Sequence, residues 1–250
     1  MPTIVTELLG MADAGISVKP FICRTEEGRE IYVKPFGSHP ESLIHEWIGG
    51  RLAYQMGLPV ADMDIIEIPS ILANTNTNVD WKAFKSGIGF GSYAVGRGYR
   101  DLQASDLMQL DTELLAEVLL FDYWIKNADR QMGPVGGNPN TMVHYDRSEF
   151  YLIDHDNAFD QTFDIKLFNQ LHIGRNQREY WLKVDRRKAW AKKVETCLEH
   201  LGDFWEELPE DWLYSELDTN SEPCYTLSPI RDLLLHPLTD SEAFWLPLLS

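Results

Sequence analysis

The feature that most constrains this chain is an apolar run that ends in charge and is answered by a second acidic turn. Leu107 to Ile125 has a strong helical pattern, with Leu114, Leu115, Val118, Leu119 and Tyr123 among its apolar positions. It stops at Asn127-Ala128-Asp129-Arg130. A Gly/Pro/Asn-rich loop follows and runs through Asn138 to Asn140. Two short β-type runs, Thr141–His144 and Phe150–Ile153, then lead into Asp154-His155-Asp156. Acids at the end of a helix and the end of a nearby strand, with an amide between them, can hold a hard cation such as Mg²⁺. One carboxylate is then left to orient a nucleophile.

The elements around this stretch set the fold class. Upstream, Val18–Cys23 and Glu30–Lys34 flank the turn Thr25-Glu26-Glu27-Gly28 as a hairpin. Pro40–Gly57 has helical spacing, and Asp64–Ile68 reads as a strand. Gly87-Ile88-Gly89-Phe90-Gly91 reads as a flexible connection ahead of a strand over Ser92–Arg97, and it does not form a dinucleotide fingerprint. Downstream, Arg187–Leu201, Asp203–Glu207 and Pro229–His236 read as helices, and Trp181, Trp190, Trp205 and Trp212 as core packing. A mainly β first part with one prominent helix therefore precedes a mainly α second part. The class is α+β, with a boundary near Gly96–Arg100 that divides the 250 residues into 1–98 and 99–250.

Charge and cysteine content narrow the function. The net charge of −17 repels a phosphate backbone, which argues against general nucleic-acid binding. A nucleotide would need a locally positive pocket, so the few cations near the acidic turns matter more. Cys23, Cys197 and Cys224 have neither metal nor disulfide spacing and read as incidental thiols. No apolar run approaches the ~20 residues of a membrane span, and no secretion signal is legible, so a soluble cytoplasmic protein is the expectation.

Phosphoryl transfer fits these constraints, because it needs cations around phosphates and a positioned hydroxyl rather than covalent help. A strand lysine is available at Lys34, at the end of Glu30-Ile31-Tyr32-Val33-Lys34. Glu46, beside Ile44, Trp47 and Ile48, is an acid on an inward-facing part of the next helix, where a carboxylate needs a cationic partner; Glu41 competes with it. Asp129 is the candidate general base. Arg130 can pair with Asp129, pair with a neighbouring acid, or contact phosphate. Asn140 and Asp154 are the candidate metal ligands, Asn138 is an alternative to Asn140, and Asp156 either assists or holds its loop. His155 reads as a hydrogen-bonded spacer.

These residues carry a family resemblance. Asn-Ala-Asp-Arg at 127–130, Asn-Pro-Asn at 138–140 and Leu-Ile-Asp-His-Asp-Asn-Ala-Phe at 152–159 resemble the catalytic and metal-binding loops of HipA-like kinases, and phosphatidylinositol-kinase-like loops are similar. Tyr32-Val33-Lys34-Pro35-Phe36, His45–Ala53, Gly57-Leu58-Pro59-Val60 and Phe90-Gly91-Ser92 resemble the compact form of that family. The resemblance implies a bilobal protein-kinase-like fold that uses ATP and Mg²⁺. It places Lys34 on phosphate, Asp129 as base, Asn140 and Asp154 on metal, and Tyr93, Val95 and Arg130 among the nucleotide contacts. It implies a protein Ser/Thr acceptor and an antitoxin-like regulatory partner, and says nothing of oligomeric state. One departure is clear. Protein kinases place the metal Asn five residues after the catalytic Asp, where this chain has Pro134. A nucleotide-binding regulatory module without turnover is one alternative reading, and a small-molecule or lipid kinase is another.

Overall fold

A computed structural model describes residues 1–12, 19–36, 40–75, 81–133, 136–146, 148–214, 223 and 225–250. Val18, Pro134 and Cys224, read above, lie outside the described residues. The chain mixes α and β structure and divides into two compact units. One comprises Met1–Trp47, Ala61–Gly96 and Leu208–Tyr225; the other comprises Ile48–Val60, Arg97–Glu207 and Thr226–Ser250.

The first unit is built on a closed barrel of five strands: β1 (Thr3–Met11), β2 (Phe21–Thr25), β3 (Glu30–Lys34), β4 (Met63–Ile68) and β5 (Gly87–Tyr93), in the order β1-β2-β3-β5-β4. Parallel pairing of β1 with β4 closes it. Val5, Phe21, Cys23, Ile31, Val33, Ile66 and Ile68 fill the interior. Helix α1 (Pro40–Gln55) begins in this unit, which also holds the short α2 (Ser70–Thr75) and α6 (Glu210–Leu213). Trp212 of α6 is buried and donates its indole N–H to Ile88 O at 2.9 Å.

The glycine-rich stretch proves to be β5 itself rather than a connection. It pairs with β3 on one side and β4 on the other. A Cβ at Gly89 would stand 2.6 Å from Lys34 O, and one at Gly91 would stand 2.5 Å from Ile66 Cγ1 and 2.6 Å from Ile31 Cδ1. Barrel closure therefore needs bare backbone at these positions, and packing overrides the poor strand propensity of glycine.

The second unit holds a three-stranded sheet, β6 (Tyr99–Asp101), β7 (Thr141–His144) and β8 (Phe150–Leu152), and the helices α3 (Thr112–Trp124), α4 (Ile165–Leu171), α5 (Val184–Glu206), α7 (Leu227–Thr239) and α8 (Ser241–Leu249). The long helix expected from Leu107 begins later. Asp106–Met108 is a 3₁₀ turn, and Asp111 caps α3 by accepting from Leu114 N–H at 2.8 Å. Nearly every residue of α3 from Leu115 onward is buried, as suits a helix that is apolar all round. The two helices expected at Arg187–Leu201 and Asp203–Glu207 are one. Gly202 sits where nothing would meet a Cβ, so it is tolerated at a cost of about 1 kcal/mol relative to Ala. Trp181 and Trp190 are buried in this unit, and Trp181 donates to Ala116 O at 2.9 Å.

Candidate active site

In the first unit β3 delivers Lys34 and α1 delivers Glu46. Their side chains form an ion pair at 2.7 Å, and both are buried. Removal from water makes each dependent on the other, so the pair is held in one geometry. The competing acid, Glu41, is exposed. Tyr93 belongs to the barrel's core cluster. Its hydroxyl lies 3.5 Å from Asp64 Oδ2, and the Arg29 guanidinium covers its ring at 3.5 Å. Val95 is half-buried just beyond β5.

In the second unit the loop after α3 is organised by an acid that sequence reasoning passed over. Asp122 is fully buried near the end of α3. Its Oδ2 accepts from Arg130 Nε at 2.8 Å and from His172 Nε2 at 2.9 Å; its Oδ1 accepts from Asn127 Nδ2 at 3.3 Å. His172 Nδ1 accepts from Gly174 N–H at 3.0 Å. The imidazole proton therefore sits on Nε2 and the ring is neutral. Burial alone pushes the Asp122 carboxyl up, but the charge of Arg130 and the hydrogen bond from His172 hold it below the usual carboxylate range. Burial pushes the His172 imidazole down, against the pull of Asp122.

Of the readings open to Arg130, the structure shows the pairing with a neighbouring acid, Asp122. Arg130 has no exposed surface. Beyond Asp122, its guanidinium donates to the backbone carbonyls of Asn140 and, at 3.2 Å, Ile153; Nη2 lies 3.5 Å from His155 Nε2. Arg130 thus ties the end of α3 to the entry of β7 and the exit of β8. An acid among the apolar residues that end α3 was the available signal, since a buried charge needs a partner. His172 carried no local signal at all.

Asp129 lies beside this network in different company. Asn138 Nδ2 donates to its Oδ2 at 2.8 Å, Asn140 Nδ2 at 2.9 Å and Asn157 Nδ2 at 3.4 Å. The other oxygen, Oδ1, accepts no hydrogen bond among the described residues. Burial raises the Asp129 carboxyl above its ordinary range. The amide of Asn140 opposes that shift, and the charge of Asp154 adds to it.

The inserted loop does not keep Asn140 away, because it is pinched at its neck. Gln131 N–H donates to Asn138 O at 2.9 Å, and Gly133 N–H donates to Gly136 O at 2.9 Å. A Cβ at Gly137 would stand 2.4 Å from Gln131 O, so the neck closes only on glycine. Both Asn138 and Asn140 are brought back onto Asp129.

Two of the three residues expected on a metal share a backbone peculiarity, which Lys126 and Phe159 also have. Asn140 and Asp154 both have left-handed conformations, with φ of 42° and 60°. Such strain in residues other than glycine clusters at functional sites, where the surroundings enforce it. With its amide nitrogen turned to Asp129, Asn140 presents its amide oxygen elsewhere. The carboxylate oxygens of Asp154 and Asp156 lie within 4.8 Å of each other. An amide oxygen and two carboxylates are the hard donor set that Mg²⁺ prefers. His155, between the two acids, is buried and packs edge-on to Phe121, with ring centroids 6.2 Å apart. A Cβ at Gly49 would come within 2.9 Å of His155 Cβ, so the turn rests directly on bare helix backbone.

No curated protein matches the chain. Among solved structures, the chain is similar to the Helicobacter pylori proinflammatory kinase CtkA, with a TM-score of 0.51 at 11% identity, covering 100% of this chain and 98% of that one. At that identity the likeness is one of fold. A second structure is HipA of Shewanella oneidensis, from a complex with HipB and operator DNA. It gives a TM-score of 0.41 at 12% identity, covering 98% of this chain and 64% of that one. The family model described as HipA-like kinase matches residues 5–248, and the chain therefore belongs to the HipA-like kinase family.

Proposed function

We propose that the protein transfers the γ-phosphoryl group of ATP, with Mg²⁺, to a Ser or Thr hydroxyl of a protein. The observation that carries this reading is the asymmetry of Asp129. Three amides converge on its Oδ2 and fix the carboxylate, while Oδ1 is left to accept a hydrogen bond from an incoming hydroxyl. In the step itself, the hydroxyl oxygen bonds to the γ-phosphorus, the bond to the β,γ-bridging oxygen breaks to release ADP, and the hydroxyl proton passes to Asp129. The upward-shifted carboxyl is the better base for it. Asn140, Asp154 and Asp156 would hold Mg²⁺, which when bound would neutralise phosphate charge. Lys34, fixed by Glu46, would supply positive charge to the α- and β-phosphates.

The bilobal arrangement, with nucleotide contacts from Tyr93 and Val95, belongs to the same proposal and is supported by the family membership. A regulatory protein partner of the antitoxin kind is part of the proposal as well. A cytoplasmic location is the accompanying expectation; no described helix is long and apolar enough to cross a membrane.

The test is incubation of the purified protein with labelled ATP, Mg²⁺ and a cell lysate, followed by mass spectrometry of the labelled species. Wild-type protein labels Ser or Thr. Asp129→Asn and Asp154→Asn, which respect the acceptor geometry and the left-handed backbone, lose about 10²-fold or more. ATP-dependent thermal stabilisation with no label in any acceptor would replace this reading with a binding module, and label on small molecules or lipids would replace the acceptor class.

A further inference from the structure

Charge is unevenly placed along this chain. The net charge is −17, yet the 19 residues Arg175–Lys193 hold eight of the 22 Lys and Arg residues against two acids, Glu179 and Asp185. Most of these cations lie in the first half of α5. The helix buries a stripe of Trp190, Val194, Cys197, Leu201 and Phe204, whereas Lys183, Lys188 and Lys192 are exposed.

Helix stability does not explain the pattern. A helix dipole favours acids near the first turn and cations near the last. In α5, Arg186, Arg187 and Lys188 crowd the start against the single acid Asp185, and the last turn has no basic residue. Internal pairing accounts for only part of it. Arg186 and Lys193 reach Glu113 and Glu117 of α3, at 3.6 and 3.0 Å. Lys183, Lys188 and Lys192 have no ion pair among the described residues. Lys188 and Lys192 share a helix face with Val184 through the i, i+4 spacing. Val184 and the neighbouring Leu182 are large apolar residues, 52% and 58% exposed.

We propose that this face of α5, together with Leu182 and Lys183 just before the helix, binds an acidic protein segment, whose carboxylates meet Lys183, Lys188 and Lys192 and whose apolar side chains cover Leu182 and Val184. A peptide is favoured over other polyanions by the rest of the chain. A nucleic acid or an anionic bilayer extends its charge past the patch, onto a molecule that is otherwise strongly acidic. A short segment keeps its charge on the cations, and its apolar residues use the exposed pair, which a phosphate backbone does not. The proposal depends on none of the residues assigned to phosphoryl transfer.

The test is fluorescence polarisation with a labelled peptide rich in Glu, Asp and Leu, beside its Gln/Asn counterpart. The comparison is between wild type, Lys183→Glu/Lys188→Glu/Lys192→Glu, and a charge-matched control, Lys19→Glu/Lys82→Glu/Lys85→Glu. The control replaces exposed lysines of the other unit. Wild type and control should bind the acidic peptide alike, with affinity falling as salt rises, while the α5 triple variant loses about tenfold or more. Leu182→Ser/Val184→Ser should weaken binding without changing its salt dependence. Equal loss in the control, no preference for the acidic peptide, or tighter binding of duplex DNA or phosphatidylserine vesicles would overturn the proposal. Thermal melts matching wild type establish that the exposed substitutions leave the fold intact.

Discussion

Asp122 and Asp129 stand seven positions apart, around the same helix end, and the fold treats them in opposite ways. Asp122 is fully buried against a guanidinium and a neutral imidazole, and its carboxyl is held below the ordinary range. Asp129 is only partly buried, receives neutral amides, feels the charge of Asp154, and is pushed up. Burial acts on both in the same direction, so the partner decides the outcome. A cation turns a buried acid into framework. Amides and a second acid leave one oxygen free and make the carboxyl a better base. The framework acid also holds the surroundings of Asp129, because Arg130 joins Asp122 to the carbonyl of Asn140 and to that of Ile153, the residue before Asp154.

The largest expected effect comes from removing the framework acid. Asp122→Ala leaves Arg130 charged, buried and unpaired, and should cost about 3–5 kcal/mol in denaturant unfolding. Asp129→Asn, by contrast, should melt close to wild type while losing activity. An Asp122→Ala protein as stable as wild type would erase the distinction between the two acids.

Next come the two asparagines that share Asp129. Asn140→Gly, chosen because glycine accepts the left-handed backbone, should cost about 10²-fold in rate and raise the Mg²⁺ concentration needed for half-activity. Asn138→Ala removes one neutral hydrogen bond and should cost about tenfold or less, with the Mg²⁺ dependence unchanged. The reverse result would make Asn138 the ligand.

The smallest effect is on pH. His172 has a folded pKa below its unfolded value, so on acidification below ~6.5 the unfolded chain takes a proton that the folded one refuses. Stability should fall by up to about 1.4 kcal/mol per pH unit in that window. Asp122 adds nothing there: its contribution is complete above the ordinary carboxylate range and is lost only as pH falls through its lowered folded pKa. Asp129 acts with the opposite sign, since its raised carboxyl binds a proton more readily folded than unfolded. His172→Gln, which keeps a donor for Asp122, should flatten the slope between pH 6.5 and 5 relative to wild type in thermal melts, and an unchanged slope would assign it to other groups.

Much of the local structure was legible because its signals are periodic or chemical. The strand Glu30–Lys34 and the start of α1 followed from alternation and helical spacing, and so Lys34 and Glu46 could be paired before their 2.7 Å contact was seen. The acidic turns at Asp129 and Asp154 were visible as breaks after apolar runs. Other features were not legible, for identifiable reasons. Gly87–Gly91 looked like a linker because the need for bare backbone at Gly89 and Gly91 arises only from neighbouring strands. Arg130 looked available for phosphate because its partner Asp122 was hidden in an apolar helix. The long interval between Asp129 and Asn140 looked like an obstacle because the glycine neck is a contact between backbones.

The sequence by itself determined which residues are candidates for the chemistry: a strand lysine, an inward glutamate, two acidic turns and the amides between them. It did so because hydrophobic period and turn residues are local properties of a chain. Tertiary structure alone decided which acid became framework and which kept an oxygen without a donor among the described residues. That outcome depends on whether a carboxylate meets a guanidinium or a cluster of amides, and those partners come from chain segments whose convergence no local pattern encodes.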